Sequence, residues 1–156
     1  MKFTSQAFGA GQTVPREHTA DGEDVSPPLD WDGAPRETGS FALICDDPDA
    51  PRAEPWVHWL IWNIPGDATG LLQGLPRKAT LSDYRVQGAN SWPSDNIGYR
   101  GPAPPKGHGV HHYHFKLYAL DSMLDLEAGA ATKEDLLSAM KGHILAEAQL
   151  IGTYKR

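Results

Sequence analysis

A mainly β fold is predicted by three features of this 156-residue chain. Apolar or alternating runs of strand length lie at residues 41–45, 57–64, 111–119 and 144–154. Sixteen glycines and 13 prolines punctuate those runs, which favours many turns over long helices. Only one stretch, Lys133 to Lys141, carries both a start and a stop signal for a helix.

Taken in order, the segment from Glu17 to Glu37 holds Asp21-Gly22, Ser26-Pro27-Pro28 and Asp32-Gly33. It reads as loops around one short extended piece at Leu29–Trp31. Phe41-Ala42-Leu43-Ile44-Cys45 is a buried strand that delivers the acidic loop Asp46-Asp47-Pro48-Asp49-Ala50-Pro51. Val57 to Ile64 is apolar on both alternating faces, as a central strand covered on both sides would be, and His58 is its polar exception. Tyr84–Gln87 reads as a further strand, before a Pro- and Gly-rich irregular stretch from Gly88 to Gly109. From His111 the alternation resumes, with His111, Tyr113, Phe115, Leu117 and Ala119 on one face and His112, His114, Lys116 and Tyr118 on the other. Thr132 caps the helix, with Asp135 in its first turn, Leu136, Leu137 and Met140 on its apolar side, and Gly142 past its end. Ile144, Ala146, Ala148, Leu150 and Tyr154 alternate with polar residues in a final half-buried strand. No repeat or linker interrupts this order, so one domain spanning residues 1–156 is expected.

Composition excludes several classes of function. The 14 Lys and Arg against 20 Asp and Glu give a net charge of −6, which argues against sequence-blind binding of nucleic acid or anionic lipid surfaces. The acidity is N-terminal, with 4 basic and 12 acidic side chains up to residue 67 and 10 basic and 8 acidic ones beyond it. No run approaches the roughly 18 apolar residues of a membrane span, and the first residues lack the apolar core of a signal peptide, so a soluble, cytoplasmic chain without membrane insertion is expected. Cys45 is the only cysteine, which rules out an internal disulfide framework and zinc sites built from several thiolates. There is no Gly-x-Ser-x-Gly, no Gly-rich phosphate loop ending in Lys-Ser/Thr and no His-Glu-x-x-His.

Several polar residues have two readings. Asp47 and Asp49, flanked by prolines, serve as turn residues or as site carboxylates. His58 is equally a hydrogen-bonded core histidine or a ligand-binding one. Trp56, Trp59 and Trp62 read as core or rim bulk, since Trp59 and Trp62 fall on opposite strand faces. The cluster His108, His111, His112 and His114 raises a metal hypothesis, with His112 and His114 two apart on a strand at chelating spacing. No third ligand is indicated and His111 lies on the other face, so an exposed polar face is the expectation rather than a metal site.

The ordered motifs Asp47-Pro48-Asp49-Ala50-Pro51, Trp56-Val57-His58-Trp59, Gly101-Pro102-Ala103-Pro104-Pro105 and Gly109-Val110-His111-His112-Tyr113 carry a resemblance. With Ser26-Pro27-Pro28-Leu29-Asp30-Trp31 and Tyr118-Ala119-Leu120-Asp121, it covers nearly the whole chain. The sequence resembles the phosphatidylethanolamine-binding proteins, in the bacterial branch often called Raf kinase inhibitor-like. That resemblance implies two packed, mostly antiparallel sheets with one or two short peripheral helices, and a small surface pocket for phosphate-like anions. Carried over, the pocket is lined by Asp47, His58, His111 and Tyr113, with Ala103 and Pro105 of the Pro-rich loop as one wall. Imidazoles, a phenol and loop amides supply donors to a phosphate, Asp47 orients His58 and favours its imidazolium, and binding strengthens on the acid side of neutrality. The usual arginine before the tyrosine is replaced by His112, which predicts a weak or missing ion pair with Asp49. The Glu54–Pro55 bond is expected to be cis, and Ala20 and Ala103 stand where bacterial relatives often carry cysteines.

The leading functional expectation is a non-enzymatic binding module for a small phosphorylated ligand, either a phospholipid head group or a phosphorylated residue of a partner protein, which thereby modulates kinase signalling or another enzyme. A kinase or protease is the candidate protein partner. No cofactor is implied, and a homodimer fits the family. Two alternatives use other features: inhibition of a protease or kinase through the loops, and a small-substrate hydrolase in which Asp47, His58 and His111 act as orienter, base and acid.

Overall fold

The computed structural model describes residues 1–156. Its strands are β1 (Lys2–Thr4), β2 (Leu29–Asp32), β3 (Ser40–Asp47), β4 (Trp56–Pro65), β5 (Gly70–Leu71), β6 (Val86–Gln87), β7 (His111–Leu120) and β8 (Ile144–Tyr154). The single α-helix, α1, is Lys133–Met140, and a 3-10 turn occupies Arg16–His18. Two antiparallel sheets result, one of three strands in the order β1-β2-β5 and one of five in the order β6-β4-β3-β7-β8. No helix is long and apolar enough to cross a membrane.

The continuous apolar runs of β3 and β4 follow from cover on both faces. On one face Phe41, Leu43, Cys45, Trp59, Ile61, Phe115 and Leu117 pack against Phe3, Leu29 and Trp31 of the smaller sheet. On the other, Ala42, Ile44, Leu60, Trp62 and Leu120 pack against Leu136 and Met140 of α1. The helix starts at the expected capping box: the Asp135 N–H donates to Thr132 Oγ1, and the Thr132 N–H donates back to Asp135 Oδ2. Leu137 does not join its buried face and is 42% exposed, because a helix of eight residues presents only Leu136 and Met140, four apart, to the sheet.

Three other expectations are corrected. The acidic loop begins later than expected, because Asp46 and Asp47 are strand residues. Asp46 is tolerated there by ion pairs with Lys133 at 2.7 Å and Lys116 at 3.3 Å. The segment Tyr84–Gln87 is a strand only at Val86–Gln87, since Leu81 and Arg85 close a tight turn in which Tyr84 takes a φ of 71°. Glu54–Pro55 is trans, as is every peptide bond in the chain. The trans form is favoured before proline by about 0.5–1 kcal/mol, and β4 reaches its register opposite β3, Trp56 against Asp47, without the cis form.

Candidate functional site

Four strand positions converge at one end of the sheet face that packs on the smaller sheet. His111 and Tyr113 extend the Phe115–Leu117–Ala119 stripe of β7, and Asp47 ends the neighbouring β3. His58 reaches the same face by a different device. Cys45 pairs with Trp59, but Asp46 pairs with Val57, so β4 carries one extra residue at His58. This β-bulge takes His58 out of the alternation that sends Leu60 and Trp62 toward α1 and sets its ring edge-on to Tyr113, with centroids 5.1 Å apart.

A cavity of about 360 Å³ opens here, lined by Asp47, His58, Ala103, Pro105, His111 and Tyr113 together with Ala50, Pro51, Arg52, Trp56, Trp92 and Pro104. All six residues carried over by the resemblance therefore meet in one concave place. Sequence reasoning missed Trp92 and Arg52, and it named His108 only among candidate metal ligands and not as a partner of His111. Trp92 packs edge-to-face against both Trp56 (5.4 Å) and His58 (5.0 Å), and the Arg52 guanidinium lies 4.5 Å from the centre of the Trp56 ring.

The hydrogen bonds revise the expected roles. Asp47 holds His111 and not His58: Asp47 Oδ2 accepts from His111 Nδ1 at 2.7 Å, while Oδ1 accepts the Asp49 N–H at 2.8 Å. β3 has β7 and β4 on its two sides, and it is the β7 histidine that meets the carboxylate. The far nitrogen of His111 is occupied too, since His108 Nδ1 lies 2.6 Å from His111 Nε2. In the neutral form of His111, with Asp47 accepting at Nδ1, Nε2 carries the lone pair and His108 donates to it. His58 Nδ1–H donates to the Arg100 carbonyl at 2.6 Å, leaving Nε2 without a protein partner. The Tyr113 hydroxyl is sheltered and has no partner either.

Burial acts on both of these free groups. It lowers the pKa of His58 below the ordinary 6.5, outweighing the Arg100 hydrogen bond and the attraction of Asp47. It raises Tyr113 well above the ordinary phenol range, helped by the nearby Asp47 charge. At neutral pH the cavity thus presents a phenol O–H donor and an imidazole lone pair. Ala103, on the loop wall, donates its N–H to no backbone carbonyl.

His112 keeps the contact expected to be weak or missing. Its ring Nδ1 and its backbone N–H both lie on Asp49 Oδ2, at 2.7 and 2.8 Å. Partial burial would raise the Asp49 pKa, but these two bonds outweigh it and hold the carboxyl below the usual range. His114 faces Gln149 instead, at 3.2 Å, so the two strand histidines have separate partners. No group of three or more His, Cys, Asp or Glu side chains is placed to hold a metal ion.

The family model described as phosphatidylethanolamine-binding protein matches residues 4–155. The chain belongs to that family. Its relatives include a UPF0098 protein of Methanothermobacter thermautotrophicus, 55% identical over all of this chain and 99% of that one, and a UPF0098 protein of Aquifex aeolicus, 43% identical over all of this chain and 89% of that one. Among solved structures, Escherichia coli YbcL, described as a member of the mammalian PEBP family, superposes with a TM-score of 0.90 at 31% identity, covering 99% of this chain and 98% of its own. The PEBP homologue CT736 of Chlamydia trachomatis gives 0.86 at 40% identity, covering 99% and 96%. The two-sheet architecture is thus that of the family, with one helix on its periphery.

Proposed function

We propose that this phosphatidylethanolamine-binding protein family member is a non-enzymatic binding protein whose cavity takes a phosphate-like anion, carried by a lipid head group or by a phosphorylated residue of a partner protein. The observation that carries the reading is the unpaired, sheltered Tyr113 hydroxyl beside the unpartnered Nε2 of His58. A buried donor without an acceptor costs about 1–3 kcal/mol, and a ligand oxygen removes that cost. A phosphate monoester bearing one P–OH fits both groups, donating to His58 Nε2 and accepting from Tyr113. Arg52 supplies the cation of the lining, and the flat walls of Trp56, Trp92 and Pro105 suit the carbon part of such a ligand. The lining holds no serine, threonine or cysteine, and burial keeps the Tyr113 phenol protonated, so the Asp47–His111–His108 chain has no ready nucleophile to activate. That favours binding over turnover.

Titration of the 15N-labelled protein with O-phosphorylethanolamine tests the reading. Saturable amide shifts are expected at Asp47, His58, residues 101–107 and Tyr113, with the midpoint raised roughly tenfold in Tyr113→Phe by loss of one donor to a charged acceptor. No saturable shift at millimolar ligand would overturn it.

A further inference from the structure

A second cavity, of about 520 Å³, shares no residue with the first and is lined by Arg77, Asp95, Asn96, Ile97 and Arg100. Trp92 stands between the two: it lines the first, and the Arg100 guanidinium lies 4.7 Å from the centre of its ring. That stacking fixes the guanidinium without satisfying it. Arg100 has no carboxylate partner, donates once from Nη1 to the Ser94 carbonyl at 3.3 Å, and keeps a sheltered Nε–H with no acceptor. Arg77 is held differently. Its Nη2 donates to the Asp24 carbonyl at 2.6 Å and lies 3.2 Å from the Asp24 carboxylate, leaving the rest of its fork uncommitted. Asp95 is the single acid of the lining and forms an ion pair with neither arginine.

Two guanidiniums fixed by separate scaffolds face one cavity, Arg77 balanced by Asp24 and Arg100 without any paired carboxylate, in a protein that is acidic overall. Planar forks of this kind match carboxylate and phosphate oxygens in pairs. We propose that Arg77 and Arg100 form a second anion-binding site, which clamps a carboxylate or phosphate group independently of the first cavity. Asn96 adds a side-chain amide as donor, and Asp95 discriminates against ligands whose negative charge spreads beyond the clamped group. Arg100 also touches the first cavity through its backbone, since its N–H donates to the His58 carbonyl at 3.0 Å and its carbonyl accepts from His58 Nδ1.

The side-chain Nε–H resonances of Arg77 and Arg100 report on this site directly. Titration with inorganic phosphate and, separately, with malonate is expected to shift both resonances saturably, and the arm with the lower midpoint names the group the site prefers. The shifts persist in Tyr113→Phe, which alters only the first cavity. Arg77→Gln and Arg100→Gln, each checked for a native amide spectrum, raise the midpoint at the remaining arginine roughly tenfold through loss of one fork. Shifts linear in both anions and reproduced by sodium chloride at equal ionic strength would overturn the proposal, as would a midpoint unchanged in both variants.

Discussion

Replacing Asp47 by asparagine is expected to lower stability by about 2–3 kcal/mol near pH 7, although the two side chains have the same shape. The carboxylate accepts two donors on two different oxygens, His111 Nδ1–H on Oδ2 and the Asp49 N–H on Oδ1. Asparagine has one oxygen, so its amide nitrogen must face one of those donors. Inversion of the imidazole chain offers one escape, with His111 accepting at Nδ1 and donating from Nε2 to His108. The variant should therefore show the loss in urea unfolding together with a change of His111 tautomer in imidazole 15N spectra. A stability change under about 0.5 kcal/mol would mean that the buried pair does not anchor this end of β3 and β7.

Gly101→Ala is expected to cost still more, about 3 kcal/mol or above, and to lower the thermal midpoint by roughly 6–12 °C at this chain length. A Cβ at residue 101 would collide with the His18 carbonyl oxygen and lie 2.8 Å from Asp24 Oδ1. Neither neighbour is free to retreat. The His18 carbonyl accepts the buried Tyr99 hydroxyl at 2.6 Å, and Asp24 Oδ1 accepts the Gly101 N–H at 2.7 Å. Ala20 N–H to the Pro102 carbonyl, at 3.0 Å, ties the same two segments one residue further on. Since Gly101 leads into the wall at Ala103, Pro104 and Pro105, the variant should also blunt the amide shifts seen with O-phosphorylethanolamine. A thermal midpoint within about 2 °C of the native one would contradict this account of the loop.

The long strands were legible because burial on one or two faces writes a period into the residues. β3, β4, β7, β8 and α1 each lie where the pattern puts them, and the shared face of His111 and Tyr113 follows from strand alternation alone. The strands β1, β5 and β6 have two or three residues each, too few for a period to emerge. What places His58 is a bulge, and a one-residue insertion in a pairing register leaves no mark in the composition of β4. The motifs that carried the family resemblance brought His58 into the site although alternation could not. They did not reveal that Asp47 binds His111, because that depends on which neighbour of β3 presents its histidine to the carboxylate. Trp92 and the contact of His108 with His111 belong to the irregular stretch between β6 and β7, where position is set by turns and tertiary contacts and not by spacing. His112, read as a loss, retains its hold on Asp49 because imidazole and backbone N–H reach the same oxygen.

The central claim is that His58 and Tyr113 together bind an anion, and sulfate tests it most directly because it carries no proton near neutrality and only accepts hydrogen bonds. The neutral His58 offers sulfate a lone pair, so binding requires the imidazolium. Burial places the His58 pKa below 6.5, hence the protonated fraction rises as pH falls through the neutral range. Calorimetric titration at constant ionic strength from about pH 7.5 to about pH 6 should show sulfate affinity increasing roughly tenfold per pH unit until that lowered pKa is reached. His58→Asn, which retains a donor for the Arg100 carbonyl but does not titrate, should bind weakly with a flat pH profile. Sulfate affinity independent of pH in the native protein, or the same slope in His58→Asn, would contradict the account.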